Sequence, residues 1–202
     1  MADRLYFAYG SNINLEQMAE RCPAAEVVGS AVLDGYELLF RGNRSGYGVA
    51  TIEPLPNSQV HGLLWKLTPE CEQSLDFYEG YPRLYEKEDV TVRTEDGKEL
   101  TVMAYVMTHE LWRDPVVPSS IYYGGILDGY RQNGLPVPAL ETALRNTHDE
   151  VRQTLLNLRQ RVYRPAIIME KDGAMHLEEY LEPEPPPKHT KNKKKEKTVY
   201  ER

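Results

Sequence analysis

The segment 85–107 contains the clearest β-hairpin pattern in this sequence. Two runs of strand-forming residues, 85–94 and 99–107, are separated by the turn sequence Glu-Asp-Gly-Lys. The alternation puts apolar residues on one face of each strand: Val90 and Val92 on the first, and Leu100, Val102 and Ala104 on the second. We therefore predict two antiparallel strands in this part of the chain.

Further strands are predicted in the first third of the chain. Short apolar runs lie at 5–10, 26–41, 48–54 and 60–67. The pair Asp34-Gly35 predicts a hairpin or tight turn inside the second run, and the turn residues Pro-Leu-Pro-Asn-Ser separate the third run from the fourth. Near the other end, a last hairpin is predicted at 166–180, where Asp172-Gly173 forms the turn.

Capping residues and periodicity predict three longer helices. The first covers 69–79, with Thr68 as its N-cap and Gly80 as its stop. The second covers about 119–132, and the third covers 138–161. In the third, Leu140, Leu144, Val151, Leu155 and Leu158 keep helical spacing, which indicates packing in the core or against another subunit. Many strands and few helices, without a strict βαβ order, favour an α+β fold with a small curved mixed sheet or barrel and flanking helices.

The length and the charge distribution indicate one folded domain with a tail. We predict a single domain at 1–181, including a C-terminal helix and hairpin at 137–181, and a disordered tail at 182–202 that is Pro-rich and then basic. The chain has a net charge of −7, although its last fifteen residues are basic. The acidic excess of the remainder argues against nucleic acid binding.

The sequence gives no indication of a membrane anchor, a cofactor or a metal. No apolar run is long enough to cross a membrane, and the N-terminus lacks a signal-peptide pattern. The two cysteines, Cys22 and Cys71, form no Cys-x-x-Cys motif, and no two histidines have ligand spacing. We expect a cytoplasmic protein that uses neither a metal nor a cofactor, and that is either a monomer or a homodimer.

The tetrapeptide Tyr9-Gly10-Ser11-Asn12 follows the first strand and precedes a short predicted helix. Glycine at such a junction allows successive N–H groups to point into one cavity. With a helix N-terminus behind it, the loop suits a carboxylate or an oxyanion. An ordinary strand-to-helix turn is the alternative, because Gly, Ser and Asn are common in turns.

Glu79 occupies the apolar side of the helix 69–79, which is predicted to pack through Cys71, Leu75 and Tyr78. It also lies in the last turn, where the helix dipole disfavours a further negative charge. Burial and the dipole both raise the pKa of a carboxylate, which suits proton transfer near neutral pH. The alternative is a side chain at a fraying helix end that is free in water.

Three nearby residues have more than one open interpretation each. Arg83 and Tyr85 follow Glu79 closely, and either can hydrogen-bond a substrate or cover the pocket of Glu79. Arg83 can equally pair with one of the acidic residues that follow it. Tyr122 lies near the start of the second predicted helix, where a role in packing and a substrate contact are both consistent with the pattern.

Five segments together resemble the γ-glutamylcyclotransferase-like superfamily, which includes the plant AIG2-like proteins. They are LYFAYGSN at 5–12, GVATI at 48–52, VHGLLWKL at 60–67, SLDFYEG at 74–80 and NGLP at 133–136. Their order and spacing agree with the family over about residues 5–136. The one departure within the loop motif is Ile13, where leucine is common in the family.

The resemblance implies an enzyme that cyclises a γ-glutamyl compound to 5-oxoproline and releases an amino acid or amine. It implies that Glu79 is the catalytic acid–base and that Tyr9, Gly10, Ser11 and Asn12 bind the substrate, with Tyr85 and Tyr122 lining the pocket. Two alternatives stay open at this point. One is a non-catalytic small-molecule binding protein that retains the pocket, and the other is an enzyme specific for γ-glutamyl amines such as γ-glutamyl-lysine.

Overall fold

The computed structural model describes residues 3–108 and 114–162, and the side chains of the final helix as far as 159. The strands are β1 (Arg4–Ala8), β2 (Glu26–Gly42), β3 (Gly48–Leu67), β4 (Tyr85–Thr94) and β5 (Glu99–Met107). The helices are α1 (Leu15–Arg21), α2 (Pro69–Glu79), α3 (Ser120–Gln132) and α4 (Val137–Val162), and a 3₁₀ turn covers Ser11–Ile13. The predicted hairpin at 166–180 and the predicted tail at 182–202 lie outside the described residues.

The five strands close into a barrel in the order β1-β3-β2-β4-β5. Neighbouring strands are antiparallel, except that β1 and β5 pair in parallel at Tyr6 and Met103. The sheet is therefore mixed, and the helices pack around it. This arrangement confirms the predicted α+β fold with a small barrel and flanking helices. It also confirms the hairpin of β4 and β5, in which Val90 and Val92 are buried.

The predicted turn at Asp34-Gly35 is wrong, because β2 continues through it as one strand. The predicted separation of 48–54 from 60–67 is also wrong, since β3 runs unbroken from Gly48 to Leu67. Both sets of turn residues mark a single irregularity, where the pairing of β2 with β3 shifts register between Asp34 and Tyr36. Gly35 and Asn57 have φ angles of 81° and 66° there, so left-handed residues accommodate a bulge within a continuing strand pair.

The capping residues define α2 and α3 as the sequence predicts. The Thr68 hydroxyl accepts a hydrogen bond from the Cys71 N–H at 3.3 Å, and Gly80 ends α2 with a φ of 66°. The Ser119 hydroxyl accepts from the Tyr122 N–H at 3.2 Å at the start of α3. These caps fix where α2 ends and where α3 begins, which are the two places at which they contribute to the cavity described below.

One prediction about helix packing needs correction. Cys71 and Leu75 are buried as predicted, but Tyr78 is 47% exposed because its ring lies against the guanidinium of Arg21 instead of entering the core. In α4, Leu140 is fully buried in the core, whereas Leu155 is 56% exposed, so packing of that part of the stripe against another subunit stays a prediction. The described helices include none that is long and apolar enough to span a bilayer.

Close approaches between backbone segments hold the loop after β1 in place. A Cβ on Gly129 of α3 would lie 2.7 Å from Ile13 Cγ1 and 2.8 Å from the Asn14 nitrogen. A Cβ on Gly62 of β3 would lie 2.3 Å from the Ala8 carbonyl oxygen and 2.5 Å from Phe7 Cε2. These contacts leave no room for a side chain, so they pack the loop tightly between α3 and the end of the barrel.

We predict that Gly62→Ala lowers the free energy of unfolding by about 1–3 kcal/mol, because the added methyl group overlaps the β1 backbone. The measurement is urea unfolding followed by circular dichroism. Gly124→Ala in α3 is the matched control, since nothing lies within 4 Å of its added Cβ, and we expect it to be neutral or stabilising. Equal unfolding midpoints for Gly62→Ala and the unmodified protein would contradict the prediction.

Candidate active site

The loop that follows β1 turns sharply into α1. The Ile13 N–H donates to the Gly10 carbonyl at 3.1 Å, and the Asn14 N–H donates to the Ser11 carbonyl at 3.2 Å. The N–H groups of Ser11 and Asn12 begin this turn, where the helical hydrogen-bond pattern offers no acceptor for them. Trp65 Nε1 on β3 donates to the Asn12 carbonyl at 3.0 Å, which ties the loop to the barrel. The turn itself therefore leaves the N–H groups of Ser11 and Asn12 without an acceptor.

Glu79 is the last residue of α2 and reaches the same loop. Its Oε1 accepts a hydrogen bond from Asn12 Nδ2 at 2.7 Å. The residue is partly buried, so the alternative of a side chain that is free in water does not describe this structure. The loop after β1 and the end of α2 meet across one cavity.

All seven residues that the sequence analysis selected for the site line this cavity. They are Tyr9, Gly10, Ser11, Asn12, Glu79, Tyr85 and Tyr122, and they are joined by Tyr6, Ala50 and Tyr105. Arg83, for which a substrate contact was left open, is exposed and is not part of the lining. The cavity is mostly polar, and it contains one carboxylate and five phenol groups.

The environment of Glu79 raises the pKa of its carboxyl group to about 7. Burial is the largest cause, because the charged form loses hydration. The hydrogen bond from Asn12 and the positive charge of Arg21 act in the opposite direction and lower the pKa. Near neutral pH the carboxyl group is therefore present in both its protonated and its ionised form.

Two of the tyrosines use their hydroxyl protons on backbone carbonyls. Tyr9 donates to the Tyr105 carbonyl, and Tyr85 donates to the Ala50 carbonyl at 2.6 Å. Burial raises the pKa of both phenols well above the usual value, so both stay protonated at neutral pH. These two side chains form fixed, neutral walls.

Two other tyrosines accept hydrogen bonds instead. The Tyr122 hydroxyl accepts from the Ala50 N–H at 3.1 Å, and the Tyr6 hydroxyl accepts from Asn12 Nδ2 at 2.8 Å. These bonds do not use the phenolic protons, because a hydroxyl can accept and donate at the same time. Burial raises the pKa of both groups, so the protons are retained. Tyr122 and Tyr6 therefore remain able to donate.

Four residues that build the site are not predicted from the sequence: Tyr6, Ala50, Arg21 and Tyr105. Arg21 carries a weak signal, because it lies four residues after Gln17 on the short helix that follows the loop, and such residues share a helix face. Tyr105 has no local signal. Its place in the cavity depends on the parallel pairing of β5 with β1, which joins segments about a hundred residues apart.

The cysteines lie outside the cavity lining. Cys22 and Cys71 are buried free thiols, and Cys22 Sγ donates to the Cys71 carbonyl at 3.3 Å. Burial raises the pKa of Cys22 to about 12, which disfavours the reactive thiolate. Within residues 3–108 and 114–162, no three His, Cys, Asp or Glu side chains are grouped so that they could hold a metal ion.

A model of the family described as gamma-glutamyl cyclotransferase, AIG2-like, matches residues 6–124. A gamma-glutamylcyclotransferase from Bos taurus is 39% identical over 141 residues, which cover 66% of this chain and 73% of that protein. The protein of the same name from Homo sapiens is 38% identical over the same shares of both chains.

Solved structures agree with these sequence matches. A structure named gamma-glutamyl cyclotransferase has a TM-score of 0.64 and 34% identity, over 70% of this chain and 86% of that one. YkqA from Bacillus subtilis, at 21% identity and a TM-score of 0.62, shares the fold over 73% of this chain and 55% of its own. With the family model matching more than half of its residues, this chain belongs to the AIG2-like γ-glutamyl cyclotransferase family.

Proposed function

We propose that Glu79 is the general acid–base with which this cyclotransferase converts a γ-glutamyl compound to 5-oxoproline. The observation that carries the proposal is a partly buried carboxyl group, held by Asn12 at 2.7 Å, whose pKa of about 7 lies in the range useful for proton transfer. It faces the loop of residues 9–12 across the cavity that both line.

The reaction is an intramolecular acyl transfer. The α-amine of the γ-glutamyl group attacks the γ-carbonyl carbon, so a new C–N bond closes the five-membered ring. The original amide C–N bond then breaks, and the amino acid or amine departs. Since nucleophile and electrophile belong to one molecule, holding the substrate in a folded shape supplies much of the rate enhancement.

Glu79 performs both proton steps of this scheme. The ionised carboxylate accepts a proton from the attacking amine, and the resulting carboxylic acid donates that proton to the leaving nitrogen. Oε1 accepts from Asn12, which leaves Oε2 for the substrate. General acid–base catalysis of this kind raises the rate by about 10²–10⁴-fold.

The loop and Tyr122 supply hydrogen-bond donors to the two anionic groups of the reacting substrate. These groups are the α-carboxylate and the oxyanion that develops on the γ-carbonyl oxygen. The donors are the N–H groups of Ser11 and Asn12 and the hydroxyl proton of Tyr122. A donor to a developing oxyanion contributes about 3–4 kcal/mol to transition-state stabilisation.

Tyr9, Gly10 and Tyr85 shape the space that the substrate enters. The Tyr9 and Tyr85 hydroxyls are committed to backbone carbonyls, so the rings act as rigid walls. A Cβ on Gly10 would lie 3.2 Å from Ala50 Cβ and 3.7 Å from the Tyr122 hydroxyl. A larger residue at this position would therefore narrow the passage beside Tyr122.

The relatives named as γ-glutamylcyclotransferases favour neither alternative from the sequence analysis, the non-catalytic binding protein or the enzyme restricted to γ-glutamyl amines. A mere binder of an anionic substrate also gains nothing from a carboxylate such as Glu79 in its pocket. The substrate is a small γ-glutamyl compound. The cytoplasmic location and the choice between monomer and homodimer remain predictions.

We expect the purified protein to release 5-oxoproline from at least one member of a panel of γ-glutamyl dipeptides, γ-glutamyl amines and glutathione. Glu79→Gln keeps the shape and the acceptor for Asn12 but can neither accept nor release a proton near neutral pH, so turnover falls by about 10²–10⁴-fold. Product is measured by chromatography. Normal turnover by the variant removes Glu79 from the mechanism, and binding without product by the unmodified protein favours the non-catalytic alternative.

We predict that kcat/KM rises with pH through a midpoint near 7, because the ionised form of Glu79 accepts the proton in the first step. Loss of a proton from the substrate amine at alkaline pH also raises kcat/KM. The titration of Glu79 is therefore followed separately, without substrate, by NMR of ¹³C-labelled glutamate carboxyl groups. The signal that disappears in Glu79→Gln identifies the residue, and a midpoint near 4.5 contradicts the prediction.

We predict that Glu79→Gln is more stable than the unmodified protein at pH 8, by up to about 3 kcal/mol. The folded protein holds the Glu79 proton more tightly than the unfolded chain does, since the pKa rises from 4.5 to about 7 on folding. Stability therefore falls as pH increases through this range, and the neutral amide escapes that loss. The free energies of unfolding of both proteins are measured in urea at pH 4 and pH 8. If the difference between Glu79→Gln and the unmodified protein does not grow from pH 4 to pH 8, the prediction is wrong.

A further inference from the structure

Arg21 ends α1 and lies behind the loop, outside the cavity lining. Its Nη1 donates to Asn12 Oδ1 at 2.6 Å and to Ser11 Oγ at 3.1 Å. Its Nη2 donates to Gln17 Oε1 at 2.6 Å. The guanidinium carbon also lies 3.8 Å from the centre of the Tyr78 ring, within the range of a cation–π contact. The side chain is thus fixed from several directions.

All of these hydrogen-bond partners are neutral. In the part of the chain that the structure describes, no carboxylate oxygen lies within 4.0 Å of the Arg21 nitrogens, whereas Arg41 and Arg93 each pair with a carboxylate at about 3 Å. The charge of Arg21 is instead directed at the amide of Asn12, and beyond that amide lies Glu79.

The contact with Arg21 decides which way the Asn12 amide faces. A guanidinium group has donors and no acceptor, so the Asn12 atom opposite Arg21 must be the carbonyl oxygen Oδ1. The amide nitrogen Nδ2 then faces the cavity, where it donates to Glu79 Oε1 at 2.7 Å and to the Tyr6 hydroxyl at 2.8 Å. The reversed amide would place a carbonyl oxygen against the carboxylate and repel it.

We propose that Arg21 is a positioning residue of the cyclotransferase reaction, which holds the Asn12 amide so that Nδ2 fixes the Glu79 carboxylate toward the substrate. The inference rests on the proposed role of Glu79. It assigns Arg21 no contact with the substrate, since Asn12 and Ser11 lie between its guanidinium and the cavity.

The packing around Arg21 fits this role. Tyr78 directly precedes Glu79 in α2, so the stacked ring links Arg21 to the segment that carries the carboxylate. A Cβ on Gly125 of α3 would lie only 2.5 Å from Gln17 Nε2, so the Gln17 amide lies against the α3 backbone at that glycine. The same amide accepts from Nη2 of Arg21 through Oε1.

Arg21 also supplies the positive charge that acts on Glu79. The polar groups that face the Glu79 carboxyl are the Asn12 amide and the phenols of Tyr6, Tyr9, Tyr85, Tyr105 and Tyr122, whereas Arg21 of α1 acts from behind Asn12. The phenols are neutral at neutral pH. Asp76 and Lys87 lie beyond Tyr105 and pair with each other at 2.7 Å. Removing the Arg21 charge therefore raises the pKa of Glu79.

The first test compares Arg21→Met, which loses charge and donors, with Arg21→Lys, which keeps the charge but lacks the two-pronged donor geometry. We expect Arg21→Met to lower kcat about 10- to 100-fold with little change in KM, and to move the Glu79 midpoint to higher pH. Arg21→Lys should lower kcat but move the midpoint less. Arg93→Met, which removes an exposed arginine on β4, is the matched control and should change neither.

The second test is a double-mutant cycle between Arg21 and Asn12, with each variant first checked for folding by circular dichroism. If Arg21 acts through the Asn12 amide, Arg21→Met has much less effect on kcat in the Asn12→Ala background than in the unmodified protein. Additive losses overturn the proposal. A folded Arg21→Met with normal kcat and an unmoved Glu79 midpoint also overturns it. If Arg21→Met does not fold, the cycle and the midpoint are measured with Arg21→Lys, to which the same criterion of non-additivity applies.

The experiments separate this inference from the proposed function. Normal turnover by Glu79→Gln defeats the proposed role of Glu79, and the inference with it. Loss of turnover in Glu79→Gln together with normal kcat and pH dependence in Arg21→Met defeats only the inference.

Discussion

The hydrogen bond from Asn12 to Glu79 joins two segments that lie 67 residues apart in the sequence, and the cavity depends on both segments keeping these positions. A carboxylate withdrawn from water is destabilised unless it gains polar partners, and here one amide proton supplies part of that compensation. The position of the bond depends on two rigid supports. Asn12 follows strand β1, and Glu79 ends a helix that begins directly after β3. Because β1 and β3 pair with each other, the same two strands position both groups.

Closure of the barrel brings the remaining lining residues to this point. Strand β1 pairs with β3 on one side and with β5 on the other, so the loop that follows it emerges between them. Ala50, Tyr85, Tyr105 and Tyr122 reach the cavity from four further elements. Their contacts with one another use main-chain groups, as in the bonds of Tyr85 and Tyr122 to Ala50. The positions of these two tyrosine hydroxyls therefore depend on the backbone of β3 at Ala50.

Local signals in the sequence predicted much of this structure. The caps at Thr68, Gly80 and Ser119 set helix ends correctly because each acts on backbone groups within a few residues. Signals that depend on distant pairing failed. The turn residues around Asp34 form a bulge, because the partner strand continues on both sides of it. The Tyr78 ring packs against the Arg21 guanidinium and not in the core, and the sequence of α2 alone does not predict that contact. Arg21 itself was missed because its partners are neutral oxygens, which leave no charge pattern in the sequence.

The balance of charges in the cavity explains why one carboxyl group suffices for both proposed proton transfers. Five phenols surround Glu79, and burial keeps each of them protonated, so they provide polarity without a second charge. Burial alone would push the pKa of Glu79 higher still, and the carboxyl would then be a poor base at neutral pH. The Asn12 amide and the Arg21 charge oppose that shift. A carboxyl group that must first accept and then donate a proton works best when neither form is strongly favoured, and this compromise between burial and compensation produces that condition.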